Sequence, residues 1–166
     1  MKTTFKALFV GSALALTVNP VQATDGTFNT PTLLPEVAVK AVQAAVDACR
    51  DREAQVTAVV VDRNGTTQAL KRDRFAGPHS IDTATSKAWT AVSFRTDTLE
   101  LRDMTQPGEP GYGIQHLPGV SILGGGKKIM AAGRIVGGIG ISGAPSGTID
   151  DECAAAGIEA IRDDLL

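Results

Sequence analysis

The chain has 166 residues, a formal charge of −2 and 43% hydrophobic side chains, which is enough for one domain with its own core. The slight acidity, with no stripe of clustered Lys and Arg, argues against a nucleic-acid partner, which is held through its phosphates. Two cysteines and two histidines without short ligand spacing carry no zinc-site signature.

Lys2 and Lys6 precede an apolar run from Ala7 to Val18, a break at Pro20 and the small-residue spacing of Val21-Gln22-Ala23. This is the pattern of an export signal over 1–23. Its apolar core falls short of the about 20 residues of a membrane span, with an uncleaved anchor as the alternative. Cleavage removes two lysines and no acid and takes the formal charge from −2 to −4. Residues 24–34, polar and followed by Pro35, read as a mobile leader, which leaves 35–166 as the domain.

From Glu36 to Arg52, Val37, Ala38, Ala41, Val42, Ala45, Val46 and Cys49 recur at three-four spacing, predicting a helix with one buried face of small residues. Gln55 to Asp62 alternates Val56, Ala58 and Val60 with Val59 and Val61. A strand apolar on both sides is central to its sheet. Asp62-Arg63-Asn64-Gly65 turns it into a partner strand over Thr66 to Lys71. A charged loop, Arg72 to Pro78, leads to His79 and to Ser80, the expected N-cap of a helix running to about Phe94. That helix buries Ile81, Ala84, Ala88, Ala91 and Val92, with Lys87 on its flank. A short helical turn is expected over Thr98 to Arg102. Met104 to Pro118, with three prolines and three glycines, reads as a long loop.

The last third is the most constrained. An apolar run from Gly119 to Leu123, a Gly124-Gly125-Gly126 break, a hairpin turning at Ala132-Gly133 and a strand from Arg134 to Ser142 follow one another. Alternation puts Ile135, Gly137, Ile139 and Ile141 on one face and Val136, Gly138, Gly140 and Ser142 on the other. The bare glycine face calls for close approach by a helix or a flat ligand. Thr148 is the expected N-cap of a final helix that carries Cys153, Gly157 and Ile161 on its buried stripe. The whole predicts an α/β (α+β) domain: a five-stranded, mainly antiparallel sheet with flanking helices. Cys49 and Cys153 lie on buried stripes, and an oxidising destination favours a bond between them over two free thiols. The glycine-rich segments match neither a P-loop nor a nucleophile elbow.

The combination of VVVDRNG, HSIDTATSKAWTA, LGGGKKI and GRIVGGIGISGAPSGTIDDECAAAG resembles the GlcG/HbpS-like family. It includes extracellular haem-binding proteins and the haem-binding domain attached to some corrinoid adenosyltransferases, and the likeness runs from about Leu34 to Leu165. The resemblance implies a profilin-like or roadblock-like fold, assembly into homo-oligomers, and haem binding, with weak haem degradation in some members. It also implies a role for His79, at a position where the family often has a histidine opening this helix. His79 is the expected ligand of the haem iron, with Phe75 beside it and His116 as rival or second ligand. Arg72, Arg74 and Lys87 are expected to pair with haem propionates. The expected function is that of a periplasmic or secreted haem carrier, buffer or sensor component. The alternatives are a binder or enzyme for a small organic acid, which uses the same cations without iron, and a structural oligomer.

Overall fold

A four-stranded antiparallel sheet of order β2-β1-β4-β3 carries the domain, seen in a computed structural model that describes residues 26–166. The expected export signal over 1–23 lies outside the described residues. Along the chain the elements are α1 (Pro35–Arg50), β1 (Thr57–Asp62), β2 (Thr67–Arg72), α2 (Ser80–Phe94), α3 (Thr98–Met104), a 3-10 turn (Tyr112–His116), β3 (Gly126–Ala131), β4 (Arg134–Ser142), α4 (Gly147–Glu159) and a second 3-10 turn (Arg162–Leu165). No helix among the described residues is long and apolar enough to cross a membrane.

The expected central strand is β1, flanked by β2 and β4. Its two apolar faces serve two cores. Val56, Ala58 and Val60 join Ala38, Ala41, Val42, Ala45, Val46, Ala154 and Ile161 from α1, α4 and the segment after it. Val59 and Val61 meet Ala84, Ala88 and Val92 of α2 on the other side. The sheet is therefore sandwiched, with α1 and α4 on one face and α2 on the other. The chain ahead of α1 is already docked at Leu33, which is buried in the first core and donates its N–H to Val136 O at 3.1 Å.

The sheet has four strands where five were expected, because Gly119 to Leu123 is not a strand. Gly119 turns with φ +80, the Val120 N–H goes to Leu117 O, and the Ser121 N–H goes to Thr90 Oγ1 at 2.9 Å. Those donors serve a turn and a helix side chain and form no ladder. The free edge of β3 is covered as well: Gly126 N donates to Thr98 Oγ1 at 2.9 Å and Lys128 N to Asp97 Oδ1 at 3.0 Å. Side chains from the start of α3 thus satisfy edge donors that would otherwise pair with another strand.

Alternation along β4 departs from the expected pattern at its start. Ile129 pairs with Gly137 but Met130 with Ile135, so one residue of β4 is unpaired and the strand is bulged. A bulge inverts the alternation before it: Ile135 packs on the α2 side and Val136 on the other. The turn that follows β3 takes Ala132 and Gly133 at φ 46 and 74, the pair of positive values that a two-residue hairpin of right-handed twist requires.

Beyond the bulge the glycine face meets a helix, as packing alone would have it. A Cβ at Gly140 would lie 2.0 Å from Ala84 O, and one at Gly126 2.5 Å from Lys87 O. Main chain of α2 rests on main chain of the sheet, so neither side can give way. Gly140→Ala is expected to cost about 3 kcal/mol or more, the upper end of overpacking penalties. Gly113→Ala, into open space, should stay within about 0.5 kcal/mol. Urea denaturation of the two variants checks this, and similar midpoints would show that α2 can lift off the sheet at no cost.

Candidate functional site

Three side chains of one row on α2, His79, Thr83 and Lys87, are spaced four residues apart and so stack along one helix face. They look across to the end of β4 at Ser142 and to the loop that enters α4. Between them lies a cleft of about 440 Å³, bounded also by Leu123 and Asp150.

The outer end of the row is fixed by backbone. Thr83 donates from N and from Oγ1 to His79 O, at 3.1 and 2.9 Å. Ser80 is not the cap expected of it; its buried hydroxyl donates to Gly77 O at 2.6 Å and shares a 2.7 Å hydrogen bond with Thr57 Oγ1, which fastens the start of α2 to β1. The His79 ring lies over Gly77, where a Cβ would come within 2.6 Å of Cε1. Gly77 thus leaves room for the imidazole in this orientation.

The inner end is a buried ion pair. Lys87 Nζ donates to Asp150 Oδ2 at 2.8 Å and to Ile141 O at 2.7 Å, and Asp150 Oδ1 accepts the Ala144 N–H at 3.0 Å. The two side chains are 2% and 5% exposed. Burial pushes the Lys87 pKa down against the pull of Asp150, and burial pushes the Asp150 pKa up against the pull of Lys87. Lys87 was expected on the flank of α2 as a propionate partner. The structure places it under the helix with its ammonium already engaged.

The other residues expected at the site do not gather around His79. Arg72 Nη2 donates to Ala76 O within its own loop. Arg74 and Phe75 border a separate depression of about 390 Å³ with Arg50, Gln55 and Asp73. There Arg50 grips Asp73 through Nε and Nη2 at 2.7 and 2.9 Å, and this fork holds the Asp73 carboxyl at about 2. Phe75 is 79% exposed. His116 is exposed in the 3-10 turn, edge-on to Tyr112 at 5.2 Å, and borders neither depression. Loop charges adjacent in sequence point apart here because the loop is folded around the Arg50–Asp73 pair.

Ser142, Asp150 and the loop between them were not singled out as site residues. Their signal was the tight connection from β4 to α4. That helix is capped two residues earlier than expected, by Ser146 Oγ accepting from Ile149 N at 3.3 Å, in place of Thr148. The first turn of α4 thereby points at the cleft. The expected bond between Cys49 and Cys153 is present, with Cα atoms 5.5 Å apart. Among the described residues no group of three or more His, Cys, Asp or Glu is placed to hold a metal ion, so a metal reaching this cleft from His79 would need its other ligands from elsewhere.

Known proteins share this architecture. A crystal structure of a double mutant of HbpS from Streptomyces reticuli superposes with a TM-score of 0.78 at 39% identity, covering 87% of this chain and 98% of that one. The crystal structure of a PduOC–haem complex gives a TM-score of 0.74 at 37% identity, covering 78% of this chain and 95% of that one. The corrinoid adenosyltransferase PduO of Salmonella typhimurium is 41% identical over 103 residues, 61% of this chain but only 31% of that protein, so the chain matches about a third of it. The model of a family described as haem degrading protein, HbpS-like, matches residues 33–159. With that match over most of its length, the chain is a member of the HbpS-like family.

Proposed function

We propose that the protein is an exported haem-binding protein in which His79 is the axial ligand from the protein. The observation that carries this reading is the likeness to a chain solved with haem bound, at 37% identity over 95% of that chain. The local geometry supports it. His79 is exposed at the mouth of an open cleft, and Leu123, an exposed aliphatic side chain on the rim, gives a porphyrin an apolar surface to rest on. Haem, when bound, supplies an iron whose reactivity is set by its axial ligand and by the polarity around it.

His79 would supply the iron with a ring nitrogen, and Gly77, without a side chain, leaves the imidazole room to do so. Lys87, committed to Asp150, stabilises the wall of the cleft and leaves propionate binding to other groups. Export, a homo-oligomeric assembly, and a role as carrier, buffer or sensor component complete the proposal. The signal-like 1–23 segment and the family motivate them.

Haemin titrated into the protein should develop a Soret shift that saturates at one haem per chain. In His79→Ala the affinity should fall by at least about tenfold, the loss of one ligand bond being worth more than 1.4 kcal/mol. His116→Ala should bind as the parent does. An unshifted Soret band would remove the haem reading, and equal binding by parent and His79→Ala would remove the ligand assignment. The mass of the protein recovered from outside the cytoplasm, with or without residues 1–23, tests export.

A further inference from the structure

Not every polar group around the cleft is used within the protein. Ser142, the last residue of β4, is 5% exposed and borders the cleft, and its hydroxyl, open to the cleft and not among the buried atoms left without a partner, bonds to no group of the described residues. The little surface that Ser142 keeps borders the cleft, where a ligand can bond to its hydroxyl. Beside it, α4 begins. The N–H groups of Gly147 and Thr148 belong to the first turn, whose donors a helix cannot satisfy internally, and the helix presents its positive end there.

The acceptors of Asp150, Ser146 and His79 are already occupied, whereas Asp151 Oδ1, next along α4 but not bordering the cleft, is buried without a partner. Asp150 gives one oxygen to the Ala144 N–H and the other to Lys87, Ser146 Oγ accepts from Ile149 N, and His79 O takes both donors of Thr83. The charges facing the cleft from α2 and α4, Lys87 and Asp150, cancel as a pair. What remains open to a ligand includes a set of donors around a pocket of small-molecule size, with an imidazole at its mouth. Such a set is complementary to an oxyanion bearing an organic body.

We propose that this cleft binds a carboxylate group, with the Ser142 hydroxyl and the N-terminus of α4 holding its oxygens and His79 at the rim. Two sources share that chemistry. One is a free small carboxylic acid, which needs no haem. The other is a propionate of a porphyrin lying against His79, and in that form the inference rests on the haem reading above.

The test uses the full chain in three arms. Sodium propionate is added to haem-free protein against sodium chloride of equal ionic strength, reading the thermal midpoint and the amide NMR shifts of Gly143, Ser146, Gly147 and Thr148. Haemin is then compared with haemin dimethyl ester, whose propionates carry no charge. Both arms are repeated in Ser142→Ala, which removes a hydroxyl that bonds to nothing in the fold, and circular dichroism verifies that it is folded.

A propionate-dependent rise in the midpoint with shifts confined to those amides, weakened about tenfold in Ser142→Ala, establishes the site for free acids. No response to propionate, but tighter binding of haemin than of its diester by a factor that disappears in Ser142→Ala, establishes it for porphyrin propionates. If propionate matches chloride and haemin matches its diester, or if Ser142→Ala changes neither, the inference is overturned. Haemin binding that fails altogether while propionate binds would sink the haem reading alone.

Discussion

Replacing Cys49 and Cys153 together with alanine should lower the free energy of unfolding by about 4.7 kcal/mol, the value expected when a cross-link closing a loop of about 100 residues is released. The bond joins the last turn of α1 to the second turn of α4, a sequence separation of 104. It therefore ties together the two helices that cover one face of the sheet. Because these cysteines are fully buried among apolar neighbours, alanine leaves little polar damage, and most of the loss comes from the freer unfolded chain. The urea m-value should rise for the same reason, since an unlinked chain exposes more surface on unfolding. Reductant added to the native protein should change little until unfolding exposes the sulfurs. A double variant within 1 kcal/mol of the parent would mean that the unfolded chain stays compact without the bond.

The two helix faces that this bond joins were readable from spacing alone. So was the double-sided character of β1, because the alternation of Val59 and Val61 with Ala58 and Val60 leaves no polar face for water. The glycine face of β4 was read as a place for close approach, and the main chain of α2 lies there. Other features depended on contacts that sequence order does not encode. The bulge between Ile135 and Gly137 changes which side Val136 takes, and nothing in the run of apolar residues marks it. Gly119 to Leu123 is apolar enough for a strand, but its donors are taken by Leu117 O and Thr90 Oγ1.

The site was legible only in part for the same reason. His79 at the opening of α2 is where it was expected, exposed and next to a cleft. Arg72, Arg74 and Phe75 are its neighbours in sequence, and the buried Asp73 with its Arg50 partner turns that loop so that they face elsewhere. Ser142 and Asp150 come to His79 only through the pairing of β4 with β1, a contact between distant parts of the chain. Lys87 carried a signal that could have been used. It stands three residues after Ala84 and four before Ala91, on the small-residue stripe, and a cation on a buried stripe needs a buried anion.

Removing either member of that pair should be the most damaging single change at the site. Lys87→Met and Asp150→Asn are each expected to destabilise the protein by about 3–5 kcal/mol, the cost of leaving one buried charge without its partner. The two should differ in their pH dependence. In Lys87→Met the Asp150 carboxyl loses its counter-charge, and burial, which already pushes its pKa up, acts unopposed. A carboxyl with a raised folded-state pKa favours folding below its unfolded value and loses that contribution as pH rises through the folded one. The deficit of Lys87→Met should therefore be largest at neutral pH and shrink towards the ordinary aspartate value of 3.8. In Asp150→Asn the sign reverses: burial lowers the Lys87 pKa, the ammonium is penalised at neutral pH, and stability returns as pH rises towards the ordinary lysine value of 10.5. The double variant Lys87→Met/Asp150→Asn leaves no buried charge and should recover a large part of the loss, giving a coupling energy of at least about 1 kcal/mol in a double-mutant cycle. Urea midpoints for the four proteins across pH decide it. Additive losses with parallel pH profiles would mean that water reaches both groups in the native state and that the pair contributes as a surface pair does.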